Sequence, residues 1–158
     1  MELDKKDRKI LNLLQKDSRM MLKDIAKAVN LSIDSTHKRM KKMQNEGIYR
    51  STILIDPIKI GYPLVVDIKI KLKDIDDEKL TTLMNYLKAH PNVIELFFAS
   101  GDYDITAPII ARNYDELNEI SLEIRKKFKD IISDWKSALN LKVYKFEEYN
   151  MEKLGIVN

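Results

Sequence analysis

Between Leu31 and Ile48 the chain reads L-S-I-D-S-T-H-K-R-M-K-K-M-Q-N-E-G-I, a segment that carries its own start and stop signals for a helix. Ser32 offers a hydroxyl that can cap the N-terminus by accepting a backbone N–H left unpaired in the first turn. Gly47 takes the left-handed conformation at no steric cost and ends the helix. Between them Thr36, Met40 and Met43 recur at helical spacing as an inward stripe, while Ser35, His37, Lys38, Lys41 and Lys42 fall on other faces. A basic helix face alone is most often simply solvated. What points elsewhere is the preceding stretch, Leu22 to Asn30, a second amphipathic segment with Ile25, Ala26 and Val29 inward, joined through Asn30, Leu31 and Ser32. Two helices on so short a joint make a helix-turn-helix, whose second helix can lie in the DNA major groove.

Charge supports that reading. Residues 1–50 hold 13 Lys and Arg against 7 Asp and Glu, a balance of +6, whereas residues 51–158 stand at −3. A polyanion gains counterion-release free energy from the first part and nothing of the kind from the second. A further helix precedes the pair. Asp4 is its N-cap, Asp7 follows three residues later, and Leu3, Ile10, Leu11, Leu13 and Leu14 give an apolar stripe up to Lys16-Asp17-Ser18.

The stretches L-D-K-K-D-R-K-I-L-N-L-L-Q-K-D-S-R (Leu3 to Arg19), I-A-K-A-V-N-L-S (Ile25 to Ser32) and R-M-K-K-M-Q-N-E-G-I (Arg39 to Ile48) together resemble the Lrp/AsnC, or feast/famine, transcription regulators of bacteria and archaea. After Gly47 the period changes to alternation. Ile48 to Ile55 is expected to be a strand, ended by Asp56-Pro57. The resemblance implies that this strand links the DNA-binding unit to a second domain and pairs with its counterpart in a dimer.

Leu64 to Leu72 alternates cleanly and predicts a half-buried strand. Asp76 caps a helix running to His90, with Leu80, Leu83, Met84 and Leu87 inward and Pro91-Asn92 as its stop. Strands are expected over Val93–Ser100 and Ile105–Ala111, a helix from Asn113 to Phe128 burying some combination of Tyr114, Leu117, Ile120, Leu122, Ile124 and Phe128, and a last strand over Ser137–Tyr144. The order β-α-β-β-α-β is the split arrangement of ferredoxin-like domains, an antiparallel sheet with two helices on one face. The fold class is thus α+β, a winged-helix-like three-helix unit followed by a ferredoxin-like domain. The expected boundaries are residues 1–49 for the helix-turn-helix, 50–62 for strand and linker, 63–147 for the second domain, and 148–158 for a tail that is a short helix or disordered. An open sheet face, to which Phe98, Ala107 or Leu141 would project, would need a cover. A second copy supplies it most simply.

In the second half the chemistry concentrates at Gly101-Asp102-Tyr103-Asp104. Glycine permits a sharp turn and close approach, and the carboxylates of Asp102 and Asp104 could hold an amino group beside backbone N–H groups suited to a carboxylate. Read bare, such a tetrapeptide is commonly a hairpin turn. The family resemblance implies an effector loop that binds amino acids, with a hydroxyl from the last strand, here Ser137, reaching the same pocket. Trp135 stands where many members carry a small hydroxyl residue. It either reshapes the pocket or packs at a subunit contact.

A length of 158 residues with 44% hydrophobic content is enough for one ordinary domain or two small ones. No apolar run reaches the roughly eighteen residues of a membrane span, and the charged start from Glu2 onward predicts a cytoplasmic protein. Zero cysteines exclude disulfides and thiolate chemistry. His37 and His90 have no partners at metal-ligand spacing, and no cofactor motif is present. His90 suits a helix C-terminus, and Arg39 is expected to pair with an acid of the first helix such as Asp7 rather than with phosphate.

The sequence therefore reads as a DNA-binding transcription regulator and not an enzyme. Ser35, His37 and Lys38 are expected at base edges, and Lys41, Lys42 and Arg50 at phosphates. The partners implied are double-stranded DNA, a second copy in a dimer, further assembly to tetramers or octamers, and an amino-acid effector. The rival reading is an enzyme of the same two-domain fold, similar to sirohaem decarboxylases. It would need basic and histidine side chains around a tetrapyrrole, for which the second half offers His90, Arg112 and Arg125.

Overall fold

The computed structural model describes residues 2–154. Helices α1 (Lys5–Lys16), α2 (Leu22–Val29) and α3 (Ile33–Asn45) come first. Asp4 begins α1 in a capping box: its carboxylate accepts the N–H groups of Lys6 and Asp7, and the Asp7 carboxylate accepts the Asp4 N–H. Asn30 ends α2 in the left-handed conformation at φ 54°, which turns the chain into α3 within three residues. Ile10, Leu11, Ile25, Val29 and Met43 are the buried centre of the unit, with Leu3, Leu13, Leu14, Met20, Met40 and Tyr49 around them. Apart from Met20 and Tyr49, which lie outside the helices, these are the apolar positions expected from sequence.

The segment expected as a strand over Ile48–Ile55 forms none. A strand needs a ladder partner, and none pairs with it among the described residues. Ile53, Leu54 and Ile55 are left 74%, 75% and 62% exposed.

Beyond a single helical turn at Ile58–Ile60 follow β1 (Leu64–Leu72), α4 (Asp77–Ala89), β2 (Phe97–Phe98), β3 (Ile105–Ala111), α5 (Tyr114–Lys127) and β4 (Ile132–Leu139). The sheet order is β2-β3-β1-β4 and every pairing is antiparallel, the ferredoxin-like topology. Val66, Ile68, Ile70 and Leu72 of β1, with Ile105, Ala107 and Ile109 of β3, bury one face against Leu83, Leu87, Ile120, Ile124 and Phe128. Full burial of each large apolar side chain contributes roughly 1.5–3 kcal/mol. Asp76 caps α4, as expected, and His90 closes it; Asn113 caps α5.

Three expectations need correction. The strand over Val93–Ser100 reduces to Phe97–Phe98 and a lone bridge from Val93 to Ile109. Pro108 explains the gap: its carbonyl accepts the Ile94 N–H, but it has no N–H to return toward that edge. The last strand occupies Ile132–Leu139 rather than Ser137–Tyr144, because β1 aligns Leu139 with Val66 and Ile132 with Leu72. The alternation Leu139, Leu141, Val143 therefore runs past the end of the sheet, and Leu141 is 88% exposed. Finally, Ala107 pairs with Ile68 and Phe98 with Ile105, so both lie on the helix side, not the open face. The open face carries Asp67, Lys69 and Lys71 beside Asp134 and Lys136, with Val65, Phe97, Pro108 and Ile110 on the same side. Of the α5 candidates Ile120, Ile124 and Phe128 are the buried set, whereas Tyr114 and Leu122 are 66% and 38% exposed.

The chain divides into two compact units. One is Ile55–Val143. The other joins the residues up to Leu54 with those from Tyr144 onward. Among the described residues, 144–154 belong with the first unit.

Candidate functional site

The cap of α3 fixes its first turn. The Ser32 hydroxyl oxygen accepts the Ser35 N–H at 3.1 Å, and its proton goes to Ser35 Oγ at 2.9 Å. Thr36, fully buried, donates its hydroxyl to the Ser32 carbonyl at 2.9 Å. With Thr36 and Met43 turned inward, His37, Lys38, Lys41 and Lys42 are exposed, and Ser35 is half-buried at the head of the same helix. Arg50, beyond the helix, is exposed as well.

Two cations of α3 have partners. Lys38 meets Asp34 at 2.8 Å one turn earlier, an exposed pair whose hydrogen bond raises the lysine pKa. Such a pair is weak and exchangeable, so Lys38 can leave Asp34 for a phosphate or a base edge. Arg39 is differently placed. Its Nη1 donates to Asp4 Oδ2 at 2.6 Å and to Asp7 Oδ1 at 2.8 Å, and the Asp7 side chain is 3% exposed. The guanidinium is therefore spent on holding α1 to α3, as the sequence led us to expect.

The loop ahead of β3 is fastened at two points. Asp104 Oδ2 accepts the Leu72 N–H at 2.7 Å, and Oδ1 lies 3.5 Å from Lys71 Nζ. The Asp104 N–H donates in turn to the Ile70 carbonyl, which ties the loop to β1. The Tyr103 hydroxyl donates to Asp134 Oδ2 at 2.6 Å, and Lys136 Nζ sits 4.9 Å from the Tyr103 ring centroid. That hydrogen bond, and then the Trp135 N–H, hold the Asp134 pKa below the ordinary aspartate value. Gly101 has φ 132°, a conformation open to glycine and strained for other residues. Asp102 is exposed.

Ser137 stands apart from the loop's contacts. It aligns with Ile68 on the helix side of β4, and its Oγ accepts the Trp135 indole N–H at 3.2 Å, whereas Asp134 and Lys136 face the other way. Trp135 packs half-buried against the core of its own sheet and helices. Neither Asp134 nor Lys136 was singled out from sequence. Finding them needed the β1–β4 register, and no local pattern carries it. Among the described residues no group of His, Asp or Glu could hold a metal ion.

Comparison with known proteins agrees with this geometry. The model of the AsnC-type helix-turn-helix domain matches residues 3–44, and that of the Lrp/AsnC ligand binding domain matches residues 65–148. The HTH-type transcriptional regulator LrpA of Pyrococcus horikoshii is 39% identical over 119 residues, 75% of this chain and 82% of that protein. The regulator FL11 of the same organism is 32% identical over 117 residues, 73% and 76% of the two. The crystal structure of an AsnC family transcriptional regulator from Agrobacterium tumefaciens superposes with a TM-score of 0.85 at 28% identity, covering 96% of this chain and 99% of that one. The fold is shared with the transcriptional regulator NMB0573 of Neisseria meningitidis, solved as a complex with L-Met, at a TM-score of 0.83 and 23% identity over 91% of this chain and 93% of that one.

Proposed function

We propose a mode of action from one premise: this chain belongs to the Lrp/AsnC family of helix-turn-helix transcription regulators, and it binds DNA to control transcription. The proteins it matches are regulators, and nothing in the comparisons favours the enzymatic alternative. In the proposed complex α3 enters the major groove, with Ser35, His37 and Lys38 toward base edges and Lys41, Lys42 and Arg50 on phosphates. The carrying observation is the division of labour on α3. Arg39 is locked inward on Asp4 and Asp7, while Lys38, Lys41 and Lys42 stay exposed.

The protein acts as a dimer reading half-sites about 34 Å or a multiple apart, with further assembly to tetramers or octamers. The effector is an amino acid held at Gly101–Asp104. Asp104 positions the loop through Leu72, Tyr103 fastens it to β4, and the exposed Asp102 meets the amino group. The complex of NMB0573 with L-Met supports an amino acid as the ligand class. A Ser137 hydroxyl facing the helix side contributes only if β4 and its neighbours rearrange on binding.

The test is a titration of labelled genomic fragments, with and without L-methionine or L-leucine, across a salt series. Wild-type protein is expected to shift its own fragments with a steep salt dependence, and Lys38→Glu with Lys42→Glu to abolish the shift. Unchanged affinity in that double variant would refute the placement of α3.

A further inference from the structure

The outward face of α1 is occupied by the far end of the same chain. Arg8, Asn12 and Gln15 stand at i, i+4 and i+7, one stripe along the helix, and all three bind residues 149–152. Gln15 pairs with both backbone groups of one residue: Oε1 accepts the Tyr149 N–H at 2.8 Å, and Nε2 donates to the Tyr149 carbonyl at 2.9 Å. Asn12 Oδ1 accepts the Met151 N–H at 2.9 Å, and its Nδ2 donates to Glu152 Oε2 at 2.9 Å. Arg8 Nη1 donates to the Met151 carbonyl at 3.1 Å. Met151 itself packs on the core of Ile10, Leu11, Ile25, Val29 and Met43.

Asn150 then closes a turn by accepting the N–H groups of Lys153 and Leu154. Side-chain amides thus take the place of a neighbouring strand. The surface reads backbone, one apolar side chain and one carboxylate, a description that Tyr149–Glu152 fits.

We propose that residues 149–152 are a clasp, a fourth piece of the DNA-binding unit supplied from beyond the ligand-binding domain. Docked on α1, it stabilises the three helices; released, it leaves them looser. The chain passes between the two units twice, once after α3 and once after β4, so the clasp makes the second crossing a tether. β4 also carries Asp134, the partner of Tyr103. The reading unit is thereby fastened to the strand that anchors the loop, by a route that bypasses the segment after α3. The clasp stands on contacts within one unit and survives the failure of the effector reading.

The experiment is amide hydrogen exchange on the full-length protein, wild type against Asn12→Ala with Gln15→Ala, and against Met151→Ser. The second variant leaves α1 to α3 untouched and serves if the first fails to fold. In wild type the Tyr149 and Met151 amides are expected to exchange roughly 10- to 100-fold more slowly than in an unstructured chain, as two or more net hydrogen bonds would protect them. The double variant brings them to the unstructured rate. Met151→Ser speeds exchange in α1 as well and leaves β1 and β3 unchanged. Wild-type tail amides exchanging as an unstructured peptide, or a Met151→Ser protein with α1 protected as in wild type, would overturn the proposal.

Discussion

Arg39 shows how one side chain can decide what a basic helix is for. Its partner Asp7 is almost fully buried, so Arg39→Ala strands a carboxylate in the three-helix core and is expected to cost about 2–3 kcal/mol in denaturant melts. The same contact makes the unit acid-sensitive. Burial alone would raise the Asp4 pKa, but the Asp7 and Lys6 N–H groups and the Arg39 guanidinium outweigh it and hold the value below the ordinary 3.8. A folded-state pKa lowered in this way stabilises the protein above 3.8, and the contribution disappears as pH falls through the lower, folded value. Thermal midpoints of wild type should therefore drop on acidification more steeply than those of Arg39→Ala. In the loop, residues two apart behave differently. Asp104→Ala strands the Leu72 N–H and should cost about 1–2 kcal/mol, while Asp102→Ala, on an exposed side chain, should stay within about 0.5 kcal/mol by the same melts. A loss of amino-acid response in Asp102→Ala with stability intact would separate binding from positioning.

At the scale of elements, caps are where sequence and structure agree most closely. Asp4, Ser32 and Asp76 each begin the helix their side chains predict, because a cap is a contact between residues two or three apart and needs no tertiary information. Ser32→Ala removes the acceptor of the Ser35 N–H and should cost about 1 kcal/mol, read as a lower midpoint for the helical unit, with Ser32→Asp restoring it. Strands fared differently. Leu64–Leu72 and Ile105–Ala111 are legible since both bury one face in the core. The last strand lies earlier than its alternation suggests, because Leu141 and Val143 continue the pattern of Leu139 beyond the last paired residue. The candidate site divides in the same way. The cations of α3 follow from helical spacing, whereas Tyr103–Asp134 and Lys136 depend on which strands become neighbours. That is fixed by packing over many residues and leaves no local trace.

For the whole molecule, the segment after α3 is the feature that a single chain leaves unresolved. Ile53, Leu54 and Ile55 expose apolar side chains on a backbone without a ladder, an arrangement water does not favour and a second copy can cure by pairing the same segment about a two-fold axis. The open sheet face mixes Asp67, Lys69 and Lys136 with Val65, Phe97, Pro108 and Ile110, so it is a second candidate surface for assembly beside this segment. Ile53→Asp with Ile55→Asp is expected to yield a folded monomer by sedimentation velocity, with helical and sheet signals kept. Two linked reading helices bind one operator with an effective concentration near millimolar, so the monomer should lose about 100-fold or more in affinity for a two-half-site fragment. For a single half-site it should lose little, since Lys38, Lys41 and Lys42 are untouched. If instead the double variant still sediments as a dimer, the ferredoxin-like sheets carry the association on their open faces. Reversing charge at Lys69 and Lys136 then becomes the substitution that separates the subunits.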